Sequence, residues 1–287
     1  MLAAEVASNC MGGYPMPIAL KLIVALNFYA SGLFQPSTGD RSGVSQSSAH
    51  HCIKLLTDAI FRCANQFIKF KVDAASQAER PRSFSATARF PMVQGIIYCT
   101  HVIIIPPTRQ SGAFINRKGF HSMYVVMTRW GLHVNVQIVC DQRKGILQVC
   151  DRYPGSSHDA FILWNSQLPA LFIPPECLQG WVLGGRGYPL KTWLMTPARN
   201  PRNEAEKHYN ESHATTRVTR EQTIGLLKMR FRFLDCSGDT PQYSPARVSR
   251  IVVIYCALHV CELVLGAGTG CDAAPSEVHS MSSDGDG

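Results

Sequence analysis

The feature that most constrains the fold is an apolar run, VQGIIYCTHVIIIP, which begins at Val93 and is ended by prolines. Its many β-branched residues and its terminal prolines are typical of a buried strand, because proline cannot donate the hydrogen bonds that continue a sheet. A buried strand needs partner strands along its edges and further layers against its faces. The rest of the chain must therefore supply both.

Three further strands are predicted. Val136–Cys140 and Ile146–Cys150 form a predicted hairpin, because the segment between them, Asp141 to Gly145, is polar and ends in glycine. Trp181–Leu183 is a short apolar segment and is the predicted fourth strand.

Helices are predicted between and after these strands. Ser156 or Ser157 is placed to cap a helix that runs through Phe161, Leu163 and Trp164. Asn203, with Glu206 three residues later, resembles the capping box that starts many helices, here a long basic one. The order of strand, hairpin, helix, strand and helix is an α/β pattern, compatible with a mixed sheet covered by helices on both faces. The long helix is predicted to bury a face that contains Ile224, Leu227, Phe231 and Leu234. A closing apolar helix is predicted at Ile251–Leu265.

Two helices are predicted ahead of the first strand. The first begins at Ile18 and ends near Gly32, and a short polar stretch, Gln35 to Gly43, connects it to the second. The second helix begins in a serine-rich segment whose hydroxyls can cap it. This outline is typical of a helix-turn-helix, which offers polar side chains at the start of its second helix to a DNA groove. A plain helical hairpin packed on the main domain is the alternative. The candidate DNA contacts are Ser45 and Gln46.

These patterns divide the chain into five segments. We expect a loose terminus at 1–17, a helical region similar to a helix-turn-helix at 18–70 and a polar linker at 71–89. The α/β domain is predicted at 90–266, and a disordered tail at 267–287.

The composition leaves two interpretations of the charge open. The 287 residues carry a formal charge of +8, which permits a polyanionic partner but also serves solubility alone. Eleven cysteines without CxxC pairs favour a reduced intracellular compartment, and we see no secretory signal in the first 30 residues. The apolar runs Ile18–Phe34 and Ile251–Gly268 contain polar residues, so buried helices are predicted rather than membrane spans.

Four motifs in combination resemble those of one known family. They are NRKGFHS at 116–122, PGSSHD at 154–159, the block from AEKHYN to RFRFLD at 205–235, and the dipeptide Leu258-His259. The chain is similar to the Harbinger transposase-derived nucleases, which are DDE superfamily endonucleases with a ribonuclease-H-like fold. The resemblance implies a mixed sheet flanked by helices and hydrolysis of DNA with Mg²⁺ or Mn²⁺. It also implies a nuclear location, with the cytoplasm as the alternative, and often a separate Myb-like protein as partner.

The resemblance places three metal-binding acids at Tyr98, Gly185 and Glu221, of which only Glu221 is an acid in this chain. Mg²⁺ and Mn²⁺ prefer carboxylate oxygens. A tyrosine phenol stays protonated at neutral pH because its pKa is about 10, and glycine offers no ligand. We therefore expect an impaired or inactive nuclease, or a non-catalytic DNA- or protein-binding relic. A chain that does not fold stably is a third hypothesis.

Two other acids are candidates to replace the missing ones. Asp141 lies at a strand end, and its alternative role is that of a turn residue. Asp159 opens a helix, where its negative charge also favours the helix start. Glu221 has its own alternative, a pair with Arg217 four residues earlier. The sequence therefore offers Glu221 and Asp141 as catalytic candidates, and Glu221, Asp141 and Asp159 as candidate metal ligands.

The long helix also carries a row of cations. Phosphate binding can outlast the loss of catalysis, because it depends on positive charge rather than on the metal ligands. The candidate DNA-binding residues on this helix are Arg217, Arg220, Lys228 and Arg230. His259, in the closing helix, is predicted to be a core histidine with satisfied hydrogen bonds rather than a ligand.

One segment departs from the family pattern. The family motif Asn-Val-Gln at Asn135 to Gln137 arrives eleven residues late, after Tyr124–Val134. A strand cannot absorb unpaired backbone, so this excess either loops out as a surface excursion or is an untranslated segment retained in the gene model.

Overall fold

The computed structural model of the protein describes residues 16–31, 35–88, 90–104, 132–174, 178–234 and 245–269. The helices are α1 (Ile18–Ser31), α2 (Gln35–Ser42), α3 (Gln46–Phe67), α4 (Ala74–Ala88), α5 (Asp159–Trp164), α6 (Glu204–Arg230) and α7 (Pro245–Thr269). The strands are β1 (Val93–Ile104), β2 (Leu132–Cys140), β3 (Ile146–Pro154), β4 (Trp181–Leu183) and β5 (Leu194–Met195).

The five strands form one mixed sheet in the order β3-β2-β1-β4-β5. The strand β1 pairs antiparallel with β2 and parallel with β4, while β5 continues the sheet parallel to β4. A central strand with an antiparallel hairpin on one edge and parallel strands on the other is the topology of the ribonuclease-H-like fold. The predicted fold class is confirmed, and the two-residue strand β5 is an addition that the sequence patterns did not indicate.

The strand β1 lies between two cores. Because successive residues of a strand face opposite sides, Ile96 and Tyr98 enter a larger core while Ile97 enters a smaller one. The larger core joins the sheet to α1, α3 and α7, and the smaller core lies beneath α5. The buried residues that represent the two cores are Phe28, Tyr29, Leu56, Ile251 and Tyr255 in the first and Leu163, Leu168, Val182 and Trp193 in the second.

The helix α6 starts as its sequence predicts. The side-chain oxygen of Asn203 accepts a hydrogen bond from the backbone N–H of Glu206 at 2.8 Å, and a Glu206 carboxylate oxygen accepts from the N–H of Arg202. Its apolar face includes the buried Leu227, as predicted. The upstream turns instead bury His213 and three threonines, so this part of the face shows no apolar pattern. The hydroxyls of Thr216 and Thr223 donate to backbone carbonyls one turn earlier, and that of Thr219 donates to Oε1 of Gln142. The buried threonines are Thr216, Thr219 and Thr223.

The helix α7 is long and apolar enough, at Ala246–Gly266, to cross a membrane by length and composition. Its middle section packs inside the protein, where Ile251, Ile254 and Tyr255 are at most 1% exposed. The ring of Tyr255 stacks on Phe231 at 4.4 Å between centroids. The buried residues of this helix therefore belong to the core, as the prediction of a buried helix requires.

The polar segment 71–89 is not the linker that its composition predicts, because it contains α4. Gln94 of β1, which is 1% exposed, accepts a hydrogen bond from Arg80 Nε at 2.9 Å and donates to the Gln77 carbonyl. Phe84 is fully buried against the sheet. One buried aromatic ring and a buried polar pair hold this helix, so its sequence shows no apolar period.

The N-terminal region also differs from its prediction. The polar stretch Gln35 to Gly43 contains α2, so the helix that precedes the Ser45-capped α3 is α2 rather than α1. The residue Gly43 has a φ of 64°, which glycine adopts without strain, and it turns the chain between these two helices.

Several predictions concern residues outside the described ranges. They include the terminus 1–15, the NRKGFHS motif, most of Tyr124–Val134 and the tail after Thr269. The last three residues of the eleven-residue excess are described, and they extend β2, where Val134 pairs with Val102 and Leu132 with Ile104. For these three residues the interpretation as a surface excursion is wrong, because a regular ladder with β1 includes them. The interpretation as an untranslated segment stays a prediction.

Candidate functional site

The register of the sheet brings the first two family positions side by side. The strands β1 and β4 run parallel, and Ile96 pairs with Leu183. Tyr98 comes two residues after Ile96, and Gly185 comes two residues after Leu183. Because parallel strands advance by the same distance per residue, both positions lie at the same level where β4 ends.

The helix α6 lies over this point. A Cβ atom built on Gly185 would be 3.1 Å from Nη2 of Arg217 and 3.5 Å from its Nη1. Arg217 is one helical turn before Glu221, so Glu221 belongs to the same end of the helix. The three positions that the family resemblance selects therefore come from β1, from the end of β4 and from α6, and Arg217 fills the space beside the glycine.

Tyr98 does not offer a metal ligand in this structure. Its side chain is 2% exposed, and its hydroxyl has no hydrogen-bond partner among the described residues. Burial raises the pKa of Tyr98 well above its usual value, so the phenol remains neutral. A buried hydroxyl without a partner costs free energy, since it gives up its bonds to water without replacement.

Replacing Tyr98 by phenylalanine is therefore expected to stabilise the protein. Tyr98→Phe removes the unpaired hydroxyl and leaves the ring, so we expect the free energy of unfolding to rise by about 1–3 kcal/mol. Denaturant unfolding followed by circular dichroism measures the change. Tyr29→Phe is the matched control, because the Tyr29 hydroxyl lies 2.6 Å from Thr57 Oγ1 and its removal should destabilise. Equal losses in both variants would show that the Tyr98 hydroxyl has a partner.

Glu221 forms a different pair from the predicted one. Its carboxylate accepts from Nη2 of the adjacent Arg220 at 2.7 Å, rather than from Arg217. The Glu221 side chain is 67% exposed, so water screens this pair and its contribution to stability is small. The prediction of an Arg217–Glu221 pair is wrong, because the guanidinium of Arg217 turns towards Gly185 instead.

Arg217 is the least compensated charge of the site. It forms no hydrogen bond or ion pair with another described residue, and its Nε atom is buried. Burial, followed by the positive charge of Arg220, lowers the pKa of Arg217 to about 10. The guanidinium still carries its charge at neutral pH. Arg220 has a buried Nε without a partner as well.

Asp141 closes the hairpin turn between β2 and β3. Its Oδ1 accepts the backbone N–H of Gly145 at 2.7 Å, and its own N–H donates to the Gly145 carbonyl. Burial raises the pKa of Asp141, and the Gly145 N–H lowers it. The preceding residue, Cys140, pairs with Ile96, so Asp141 lies towards the start of β1 and away from Tyr98. The structure thus gives this carboxylate the turn role that was the alternative to metal binding.

Asp159 lies at the other face of β1. It neighbours Cys99, whose position next to Tyr98 on the strand directs it to the opposite face. A Cβ on Gly187 would be 2.8 Å from Oδ2 of Asp159. The helix that begins here is capped by His158, whose Nδ1 accepts from Ala160 N, and not by Ser156 or Ser157.

The donor set does not fit the divalent metals that the resemblance implies. Within the described ranges, no three His, Cys, Asp or Glu side chains lie close enough to hold one ion. The three candidate ligands, Glu221, Asp141 and Asp159, are spread over α6, the hairpin turn and the start of α5. A buried neutral phenol, a glycine and an uncompensated guanidinium occupy the place where carboxylates would be needed.

The other candidate DNA-binding residues are not equivalent. Arg230 is bound within the protein, because its guanidinium pairs with Glu262 at 2.9 Å and donates to Nδ1 of His259 at 2.6 Å. The Nε2 of His259 donates to the Lys144 carbonyl, so this histidine is the satisfied core residue that the sequence predicts. Arg230 is therefore unavailable to DNA in this arrangement.

Lys228 is half-buried, while at the start of α3 the side chain of Gln46 is exposed. The hydroxyl of Ser45 caps α3 by accepting from the N–H of Ser48 at 3.2 Å. This cap confirms the predicted start of the helix. It also occupies one acceptor position of a side chain that was a candidate DNA contact.

The sequence patterns missed the role of Arg217 beside Gly185. They placed Arg217 on the positive surface of the helix, whereas its guanidinium is half-buried at the end of β4. A glycine in an acid position, together with an arginine one turn before the remaining acid, is the sequence feature that points to this arrangement.

Comparisons with known proteins find similar sequences over most of the chain. The sequence model of a family described as "DDE superfamily endonuclease" matches residues 97–259, more than half of the chain. The protein named "Putative nuclease HARBI1" from Homo sapiens is 38% identical over 239 residues, which cover 83% of this chain and 65% of that protein. The Mus musculus protein of the same name is 35% identical over 258 residues, covering 90% and 71%. The chain thus spans about two thirds of the length of the human relative.

More distant similarities extend to plants and to a solved structure. "Protein ALP1-like" from Arabidopsis thaliana is 23% identical over 285 residues, which cover 94% of this chain and 66% of that protein. The structure titled "Crystal structure of a pre-cleavage Mos1 transpososome" matches at a TM-score of 0.23 and 12% identity, over 92% of this chain and 83% of that one. A TM-score this low supports no conclusion about the site.

Proposed function

The chain belongs to the DDE superfamily endonuclease family, and from that premise we propose that it binds DNA without cleaving it. Its relatives include the Harbinger-derived proteins named as nucleases. The present chain keeps the fold and the long helix of such a nuclease domain. It lacks two of the three acids that the family resemblance requires.

One observation carries this proposal. Where Tyr98, Gly185 and α6 meet, the guanidinium of Arg217 lies within 3.1 Å of the position that a side chain at residue 185 would take. A cation at this point repels a divalent metal instead of binding it. Glu221 alone, exposed and paired with Arg220, supplies a single carboxylate. Losing carboxylates from a metal-dependent nuclease removes several kcal/mol of transition-state stabilisation, so cleavage is expected to fall below detection.

The retained cations support binding to a polyanion. The chain has a net charge of +8. Arg217 and Arg220 lie three residues apart on one helix, and of these two only Arg220 forms an ion pair with a described residue, Glu221. Positive side chains near phosphates release condensed counterions, which gives affinity without catalysis. The exposed start of α3, with Gln46, is a second candidate contact. Nuclear location and a Myb-like protein partner belong to the same proposal and follow from the family resemblance alone.

Incubating the purified chain with supercoiled plasmid DNA and Mg²⁺ or Mn²⁺ tests the proposal. We expect a complex that weakens steeply with salt, because counterion release drives it, and no nicked or linear product. A gel shift and an agarose gel measure the two outcomes. Strong cleavage that Asp141→Ala abolishes would contradict the proposal, since it would show that Asp141 replaces a missing ligand. A folded chain that binds no DNA at low salt would favour a protein-binding relic instead.

A further inference from the structure

We propose that the place of the family's metal centre has become a binding site for a phosphate oxyanion, held by the guanidinium groups of Arg217 and Arg220. This inference deepens the proposed function and rests on one part of it, namely that no divalent metal binds here. A chain that bound metal at this place would have carboxylates beside Arg217. The site needs no metal and no side chain from outside the described residues.

The charge of the site is not balanced. Two guanidinium groups face one carboxylate, that of Glu221, which bonds to Arg220 and is mostly in solvent. Tyr188 and Cys140 also act electrostatically on Arg217, but burial raises the pKa of both, so neither supplies a negative charge at neutral pH. A partly buried cation without an anionic partner is costly, and an external anion removes that cost.

Hydrogen-bonding capacity is also left over. The Nε atoms of Arg217 and Arg220 are buried and have no hydrogen-bond partner within the described part of the chain. The guanidinium of Arg217 makes no hydrogen bond to any other described residue, so its donors are not used within the described part of the chain. Its side chain is only half-buried, which leaves an approach from solvent.

The geometry suits phosphate better than a spherical halide. Residues three apart on a helix point to the same face, with Cβ atoms about 5–6 Å apart, so two forks can share one anion. A planar guanidinium fork binds two oxygens of a phosphate at once, and such charge-assisted bonds are about twice as strong as neutral ones. The same chemistry fits free phosphate and a phosphodiester of a nucleic acid backbone.

Gly185 is what keeps the site open. A side chain with a carboxylate at this position would lie against the Arg217 guanidinium, since a Cβ there is already 3.1 Å from Nη2. The carboxylate would pair with the guanidinium and compete with any external anion. The glycine that removes a metal ligand therefore also releases the arginine.

Titrating inorganic phosphate into the full chain in the presence of EDTA, followed by calorimetry or phosphorus NMR, tests this inference. We expect binding that Arg217→Met weakens by about tenfold or more, because that variant removes the charge-assisted hydrogen bonds while keeping an unbranched apolar side chain. The matched control is Arg202→Met, an exposed arginine just before α6, which should leave phosphate affinity unchanged. Gly185→Asp should also weaken phosphate binding while raising the melting temperature, through its new pair with Arg217.

A short single-stranded DNA identifies the source of the phosphate. If Arg217→Met weakens both DNA and inorganic phosphate, the site binds the nucleic acid backbone. If it weakens inorganic phosphate alone, the site binds free phosphate, and the inference holds whether or not the chain binds DNA through other residues. A folded natural chain that does not bind phosphate would overturn the inference, and so would phosphate affinity that neither Arg217→Met nor Gly185→Asp changes.

Discussion

A chain that carries both Tyr98→Asp and Gly185→Asp is expected to bind Mg²⁺ or Mn²⁺, whereas the natural chain and each single variant should not bind measurably. The parallel register that pairs Ile96 with Leu183 places the two new carboxylates at the same level of β1 and β4. Glu221 on α6 supplies the third carboxylate. Hard divalent cations need several oxygen ligands at once, so the gain should appear only when both acids are present.

The double variant also changes stability in a way that depends on the metal. Removing the buried ring of Tyr98 should cost about 3–5 kcal/mol, as for other large-to-small core changes, and an unpaired carboxylate in its place adds to that cost. A ligand present at about 100 times its dissociation constant restores about 2.7 kcal/mol. The melting temperature of the double variant should therefore rise with Mn²⁺, while that of the natural chain should not.

Adding Glu221→Gln to the double variant is the matched control. It preserves the size of the side chain and removes the third carboxylate, so metal binding should be lost again. A folded double variant without metal affinity would mean that Tyr98 and Gly185 are not the two missing ligand positions. Binding by Gly185→Asp alone would mean that an acid other than one at residue 98 completes the site.

Gly180→Ala is expected to lower the free energy of unfolding by about 3 kcal/mol or more, the range of severe backbone clashes at special conformations. Gly180 has a φ of 98°, and a Cβ there would be 2.3 Å from the carbonyl oxygen of Met92. That oxygen accepts the N–H of Trp181 at 3.1 Å, the bond that starts β4 beside β1. The closest contact is with the backbone of Met92, so no side-chain rotation can relieve the clash. Urea unfolding followed by tryptophan fluorescence measures the loss.

Gly43→Ala separates the clash from the backbone conformation. Gly43 also has a positive φ, 64°, but no atom lies within 4 Å of a Cβ built on it. Its replacement should cost only the left-handed conformation, about 1–2 kcal/mol. An equal decrease in the free energy of unfolding in the two variants would show that Gly180 does not lie in close contact with Met92. In that case the register that brings Gly185 to Tyr98 would lose its anchor.

The sheet was predictable because its apolar runs are continuous and its turns carry glycine. The sequence patterns predicted β1, the hairpin of β2 and β3, and Trp181–Leu183, because buried strands consist mainly of apolar residues. The helix caps at Ser45 and Asn203 were predictable for the same local reason. The helix α4 was not, because Arg80 and Phe84 hold it through a hydrogen bond to Gln94 and one buried ring rather than through an apolar stripe.

For the candidate site, the sequence predicted which residues to compare but not the contacts of their side chains. The family motifs located Tyr98, Gly185 and Glu221, and the register supports their meeting. Local sequence could not show that Glu221 pairs with Arg220 or that Arg217 turns to Gly185. It also could not show that Arg230 is bound by His259 and Glu262, since that contact joins two helices far apart in the chain. Long-range pairing of charges depends on the completed fold and leaves no period in the sequence.

Calorimetric titration of Mg²⁺ and Mn²⁺ into the folded natural chain tests the central claim most directly. The arrangement of Tyr98, Gly185 and Arg217 predicts no heat of specific binding at millimolar metal, in a sample whose circular dichroism shows a folded protein. Tight binding that Glu221→Ala abolishes would contradict the account. It would mean that other acids complete the metal site and that the chain remains a nuclease.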